Sequence, residues 1–568
     1  MSTSIGKNRN SQILLAATAL ALFAPSVAAA DNVIKPHFAV KGPKATVDAV
    51  VGANTSDPSA PVFNAPQQNT SLISGFEGTS DYDTRALGIG LIPPDTMGAV
   101  GLTQYVQIIN GSFSVYNKAT GTLAAPRKTD SAFWTAAGGQ ATGGDPRILF
   151  DNPTQRWIAV GFNAAGDGLQ VATSATSDAL GVWNAAQFGS FNDGLFNRIA
   201  DYPTLALSGN AVVVGTNNFS AATDGGARNF RGTTLNVLNR DDIFKAGGPD
   251  VTTIKQFTTP FTANSTDRGF AIQAANRDGG GADVTVVAAS LTAFDNVTYK
   301  ITNAGAANAA QTMSVLTGSS AFTSPLDGRQ PVAGANARIV AAGDERVHSN
   351  AWEFNGRVYY STTVQAAGSD HNVVRITVLD KATNTILSET DIGGGPSNSF
   401  DYYYGALAIN SSGQIVVGYN RSGDITTGVA GRISIFARSF DSNANGTLSA
   451  TSGEILIKQS LVDEYHNGSP IGQAAAGRQR WGDYAAVNVD PTDQQRFWVI
   501  GQFAREYNTL QNHPTGNGSG FARWGTYIAQ IGIAPVPESS TWAMMITGFG
   551  FIGAAMRRRT KAVSVTYG

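Results

Sequence analysis

Five aspartates, Asp95, Asp145, Asp201, Asp401 and Asp483, each stand at a turn shortly before an apolar strand-like run. In a closed ring of repeated units, one acid at the same place in each unit would gather carboxylates at one end of a central channel. Such a group would hold a cation or a sugar, or supply the acid and nucleophile of a glycosidase. The competing explanation is local, and it is the stronger one. A turn aspartate accepts hydrogen bonds from backbone N–H groups, so it recurs because the turn recurs. Arg147, Arg329 and Arg480 would either cluster around an anion or pair with these acids. Exposed aromatic loops suit sugar rings, which makes "DYYYG" (Asp401 to Gly405) and "RQRWGDY" (Arg478 to Tyr484) candidates, against the stronger reading that they are aromatics buried within a blade. The candidate ligand-binding residues are therefore Asp145, Arg147, Asp201, Asp401, Arg480, Trp481 and Asp483.

Other chemistry is sparse. The sequence contains no His-Glu-x-x-His helix, Gly-x-Ser-x-Gly elbow, phosphate-binding glycine loop or dinucleotide fingerprint. His37, His348, His371, His466 and His513 are scattered without metal-ligand spacing. No catalytic residue is assigned, and a secreted glycoside hydrolase or lyase, sialidase-like, is the alternative to a binding protein. In "DSNANGTLS", Asp441, Asn443 and Asn445 precede Gly446 like the first half of a calcium loop. Its twelfth position is Ser452 instead of glutamate, so an EF-hand is rejected. A looser calcium site at these residues is the one cofactor the sequence suggests, against a plain Asn-Gly turn.

The elements that would position these residues recur along the chain. "GDPRILFDNPTQRWIAVGF" (Gly144 to Phe162), "DYPTLALSGNAVVVGTNNF" (Asp201 to Phe219), "DYYYGALAINSSGQIVVGYN" (Asp401 to Asn420) and "GDYAAVNVDPTDQQRFWVIGQF" (Gly482 to Phe503) each read as two strands joined by a tight turn. Weaker copies follow Asp95, Arg268 and Asp344. The markers Asp95, Asp145, Asp201, Arg268, Asp344, Asp401 and Asp483 give seven irregular units. A four-stranded blade needs about 40 to 50 residues. The fold expected is all-β, a β-propeller of seven blades over 92–533, with Gly525 to Ile533 pairing near Gly75 to close the ring.

Composition agrees with strands and turns. Sixty-four glycines accompany frequent Asn and Thr. The 39 Lys plus Arg nearly balance 41 Asp plus Glu, and 14% of residues are charged, which leaves no basic surface for nucleic acid. Cysteine is absent, excluding disulfides and thiolate chemistry.

The two ends set the compartment. Lys7 and Arg9, an apolar run from Ile13 to Phe23 and the small residues Ala28 to Ala30 form a signal peptide over 1–30, with cleavage between Ala30 and Asp31. Residues 31–91 read as a low-complexity linker that includes the possible ring-closing strand. Over 534–568, "PVPESSTWAMMITGFGFIGAAMRRR" places a Pro-Glu turn, an apolar run from Trp542 to Met556 and three arginines together. A fifteen-residue helix is about 23 Å long, short of the roughly 30 Å hydrocarbon core, so this single transmembrane helix suits temporary residence better than a permanent anchor. The arginines would hold it on the cytoplasmic side.

This tail resembles the PEP-CTERM sorting signal of Gram-negative bacteria that make exopolysaccharide. Pro537, Glu538, Trp542, Arg557, Arg558 and Arg559 match the motif, while Ser539 stands where a second proline is usual. The resemblance implies processing by signal peptidase and by an exosortase-type membrane protease-transpeptidase. Delivery to the cell surface or extracellular matrix would follow. The body resembles a family of secreted bacterial β-propellers without an established activity, and "SATSDALGVWN", with Asp178, Gly181 and Trp183, resembles the Asp-box turn of sialidase-type propellers. Together these imply an exported, non-catalytic surface or biofilm-matrix protein whose partners are the processing enzymes, the membrane before processing, and polysaccharide.

Overall fold

The computed structural model describes residues 69–189, 198–220, 229–260, 269–290, 296–316, 320, 322–332, 338–366, 368–394, 399–465, 479–507 and 522–534, with a few isolated residues between 547 and 568. The signal-peptide residues Ala30 and Asp31 lie outside them, as do Arg268 and Pro537, Glu538, Trp542, Arg558 and Arg559. Among the described residues no helix is long and apolar enough to cross a membrane. Thr547, Phe549, Phe551 to Gly553 and Arg557 have helical backbone.

The chain is all-β, built as antiparallel meanders. The first sheet contains Gly98–Val100, Gln104–Ile109 and Ser112–Asn117, with Leu123 and Lys128 bridged to its outer strand. The second runs Thr142–Asp151, Arg156–Asn163, Gly168–Ser174 and Trp183–Gly189. Ala206–Ser208 begins the third, followed by Ala211–Ser220, Phe230–Asn239 and Lys255–Pro260. The fourth starts at Phe270–Asn276 and the fifth at Ala351–Phe354; these two strands meet in a short parallel pairing, Ala275 with Ala351 and Asn276 with Trp352. Phe400–Ile409 opens the sixth and Ala486–Asp490 the seventh. The outer strand of the seventh sheet is Asn69–Ser80, which pairs antiparallel with Ala522–Ala534 and sets Gly75 against Ala529.

Side-chain alternation explains why the sheets stack. In Ala211–Ser220, Val212 and Val214 join a buried cluster with Val160 and Leu169 of the second sheet, while Val213 joins Val286 and Val297 of the fourth. Val416 likewise faces Val487 and Val499, and its neighbour Val417 faces Ile376 and Val378. Successive residues of a strand point to opposite faces, so these continuous apolar runs bury both faces at once. Val287 and Val358 lie in the cluster between the fourth and fifth sheets. The series closes on itself, because Trp498 and Ile528 of the seventh sheet share a cluster with Tyr105, Val115 and Trp157 of the first and second.

Five of the sheets begin with the same backbone device. Asp95, Asp145, Tyr202, Ala271 and Tyr404 all have φ between 49° and 54°, although none is glycine. At Asp145, Ala271 and Tyr404 the hairpin register shifts, so each is a β-bulge. Every one stands three residues before the equivalent core residue of its inner strand, as do His348 before Ala351 and Asp483 before Ala486. The recurring feature is this conformation, and of the five candidate aspartates only Asp95 and Asp145 adopt it. Asp201 precedes the equivalent Tyr202, and Asp401 lies three residues before Tyr404, which corrects the expectation that five aspartates share one blade position.

Candidate functional site

Residues at the starts of the inner strands converge at one end, and most of what they assemble is solid. Tyr202, from the third sheet, directs its hydroxyl to the carbonyls of Asp483 at 3.4 Å and Val347 at 3.5 Å, on the seventh and fifth sheets. Tyr484 donates to the carbonyl of Pro146 on the second sheet at 3.0 Å. The Arg147 guanidinium lies 3.4 Å from the centre of the Tyr484 ring, and Tyr202 lies within reach of both Arg147 and Arg346, at 4.9 and 4.5 Å. His348 fills the remaining space, with ring nitrogens 2.9 and 2.8 Å from the carbonyls of Asp483 and Asp344. These contacts cross from sheet to sheet and plug the axis. Burial raises the Tyr202 hydroxyl to about 12 and pushes His348 down from the usual imidazole range, against the pull of the two carbonyls it faces.

Carboxylates surround the plug in two different states. Asp95 is buried, and its two oxygens accept from the Asp483 N–H and the Asn110 amide, both at 2.8 Å. Burial, reinforced by Asp483, nevertheless raises it to about 7. Asp483 accepts from Arg480 at 2.7 Å and stands 3.9 Å from Arg346, which makes a bidentate pair with Asp344 at 2.6 Å on each arm. Asp145 differs from them. Its N–H is held by Asn110 at 2.9 Å, but its carboxyl has no hydrogen-bond partner among the described residues. Burial raises it well above the usual carboxylate range, helped by Asp201, Asp95 and Asp483, while Arg147 pulls the other way.

The remaining candidates separate from this group or sit in the core. Asp401 is fully buried and accepts the N–H groups of Asn372 and Arg329, each at 2.9 Å, so it ties together three segments distant in sequence. Arg329 pairs with Asp370 at 2.5 Å and lies 3.6 Å from Asp424, so it does not join Arg147 and Arg480. Arg346, which the sequence reading passed over, takes that place. The aromatic loops are not surface loops: Tyr402, Tyr403, Tyr404, Trp481 and Tyr484 are all buried. Their polar atoms are satisfied inside, Tyr404 by the Ala341 carbonyl at 3.0 Å and Trp481 by Asn420 at 3.1 Å. Aligning the repeats on the inner-strand apolar residues, instead of on aspartate, would have exposed Tyr202, His348 and Tyr404 as equivalents.

Two turns behave as local structure. In the Asp178 loop, Asp178 accepts the Leu180 N–H at 3.0 Å, the Gly181 N–H reaches the Asp178 carbonyl at 3.1 Å, and the Trp183 indole donates to Ala179 at 2.9 Å. The loop thereby closes the hairpin between the third and fourth strands of the second sheet. In the Asp441 loop, Asn443 donates to Thr447 and Ser449, and Asn445 accepts from Thr447, so both amides are engaged within the turn. Among the described residues no three His, Cys, Asp or Glu side chains are grouped to hold a metal ion.

No protein-family model matches the chain, and no curated protein does. Similar solved structures include a protein of unknown function from Dyadobacter fermentans, 10% identical over 82% of this chain and 98% of that one, with a TM-score of 0.35. The sialidase of Trypanosoma rangeli is 11% identical over 68% of this chain, which spans 54% of the sialidase, with a TM-score of 0.33. An endo-arabinase of Bacteroides thetaiotaomicron is 14% identical over 56% of this chain and 95% of the enzyme, with a TM-score of 0.27. At these values the fold is read from the chain's own sheets, and no residue role is transferred.

Proposed function

We propose that the chain is a seven-bladed β-propeller exported from a Gram-negative cell, processed at a PEP-CTERM-type tail and retained as a non-catalytic component of the surface or exopolysaccharide matrix. The seven successive sheets, each packed on the next and the seventh on the first, support the propeller reading. The observation that carries the export reading is where the tail joins the body. The closing strand ends at Ala534, three residues before Pro537. Cleavage near Pro537 and Glu538 would release a body whose first and last strands are already hydrogen-bonded to each other. The exposed side chains of Phe549, Phe551 and Ile552 accord with a segment that waits in lipid until then. Mass analysis of the C-terminal peptide of surface-recovered protein tests this; a peptide running through Trp542 to Gly568 would reject processing.

The enzyme alternative rests on Asp145, the unbonded carboxyl with a raised pKa beside Asp201. A retaining or inverting glycosidase needs a second carboxylate facing it across an open cleft. Here Asp95 is held by the Asn110 amide and the Asp483 N–H, and Asp483 by Arg480, which favours the binding reading. Hydrolysis of a matrix polysaccharide by wild type, abolished in Asp145→Asn, would reverse that preference.

A further inference from the structure

We propose that the axial cavity at the opposite end of the inner strands is a subsite for the terminal neutral sugar of a glycan. This rests on the matrix-binding reading and gives it a place and a ligand class. The cavity, of ≈ 60 Å³, is lined by all seven inner strands, from Val100 on the first to Asn488 on the seventh. Tyr202 and Tyr484 fill the axis at the other end, and here the inner strands part around a polar hollow.

Its lining has the mixed character that hydroxyl recognition requires. Phe150 and Trp352 supply apolar faces, while Arg240 and Arg277 supply donors. On the rim, Asn152, Asp278 and Gln494 are exposed and offer both donors and acceptors. The fixed charges cancel. Arg240 is paired with Asp151, and Glu353 binds both Lys381 at 2.7 Å and Arg277 at 3.3 Å, leaving Asp278 to balance the third cation. A balanced site with paired arginines gives an anion no excess attraction, whereas hydroxyl groups can both donate to the acids and accept from the guanidinium groups.

The arginines are also held still. Arg240 donates to the Gly209 carbonyl at 2.9 Å. A Cβ at Gly209 or Gly281 would come within 2.5 or 2.6 Å of the Arg277 Nη2, so the glycines allow the backbone to close around that guanidinium. Donors fixed before the ligand arrives lose little freedom on binding. The cavity has room for a few water molecules, and hence for a hydroxymethyl group or one edge of a ring. That dimension selects a chain terminus over an internal unit.

The test is saturation-transfer NMR on the mature protein with D-glucose, D-galactose and D-mannose as neutral probes, and D-glucuronate and inorganic phosphate as charged ones. Saturable binding of a neutral hexose is expected, with phosphate failing to compete. The combined variant Asn152→Ala, Asp278→Asn, Gln494→Ala should weaken that binding about tenfold while the protein still melts cooperatively, because these side chains are exposed and the bond removed, Ser411 N–H to Gln494 Oε1 at 3.1 Å, is a surface contact. Preference for the charged probes, or binding that survives the triple variant, overturns the subsite. Absence of hexose binding also overturns it, and retention on polysaccharide purified from the producing cells then separates the two readings: a retained protein keeps its matrix role and loses this site, and an unretained one loses both.

Discussion

At the residue scale, the plug links charge to stability. Asp95 has a folded-state pKa near 7, raised by burial and by Asp483. A carboxyl raised on folding binds more protons folded than unfolded, so its contribution makes stability fall as pH rises from about 4 to about 7 and then level off. Denaturation midpoints at pH 4, 5.5 and 7 should show this decline, and Asp95→Asn should flatten it while costing about 1 kcal/mol at low pH through the lost acceptor. Absence of any slope change in the variant would reject the assignment. Arg147 is the second test. It is buried, stacks on Tyr484 and donates to the Pro203 carbonyl at 2.9 Å. Arg147→Ala removes that packing and the positive charge nearest Asp145, and should cost about 3 kcal/mol, read as a lowered urea midpoint.

At the scale of one element, the left-handed bulge explains why the repeat looked irregular. A positive φ is tolerated by aspartate and asparagine and strained for other residues, yet tyrosine and alanine also occupy it here, held by packing around them. Ala271 and Ala274 lie on the same strand and both are buried, but only Ala271 has positive φ. Ala271→Gly should therefore be nearly neutral, because relief of backbone strain offsets the lost methyl, whereas Ala274→Gly should cost about 1 to 2 kcal/mol. Equal losses in thermal unfolding would show that the bulge carries no strain. The hairpins themselves were legible in the sequence. "DYYYGALAINSSGQIVVGYN" became the paired strands Phe400–Ile409 and Gln414–Gly423, since alternating apolar residues and a Ser-Gly turn are local signals.

At the scale of the whole molecule, the ring depends on a strand from far away in sequence. Phe76, on Asn69–Ser80, packs against Tyr116 of the first sheet at 5.1 Å and Trp498 of the seventh at 6.4 Å, so it joins the sheets where the circle closes. Deleting residues 69–80 would uncover the edge of Ala522–Ala534 and part of the Trp498 cluster. The deletion should turn a cooperative melt into a broad one and promote self-association, visible by light scattering. Phe76→Ala, which keeps the backbone pairing, should cost about 3 kcal/mol and preserve cooperativity. If both behave alike, closure depends on the ring contact alone.

The sequence by itself determined the all-β class and many of the hairpins, because strand alternation and turn chemistry act over a few residues. Only the tertiary structure decided which of the candidate acids meet. Asp95, Asp145 and Asp483 converge because their sheets are neighbours around the axis, while Asp401 is held apart from them by the N–H groups of Asn372 and Arg329, both distant in sequence, and the Asp401–Gly405 tyrosines are buried in the core. The axial cavity was equally invisible in advance, since its lining residues are spread along the chain from Ala99 to Gln494. Contacts of that range depend on how the sheets are arranged around the axis, and no stretch of local sequence encodes that arrangement.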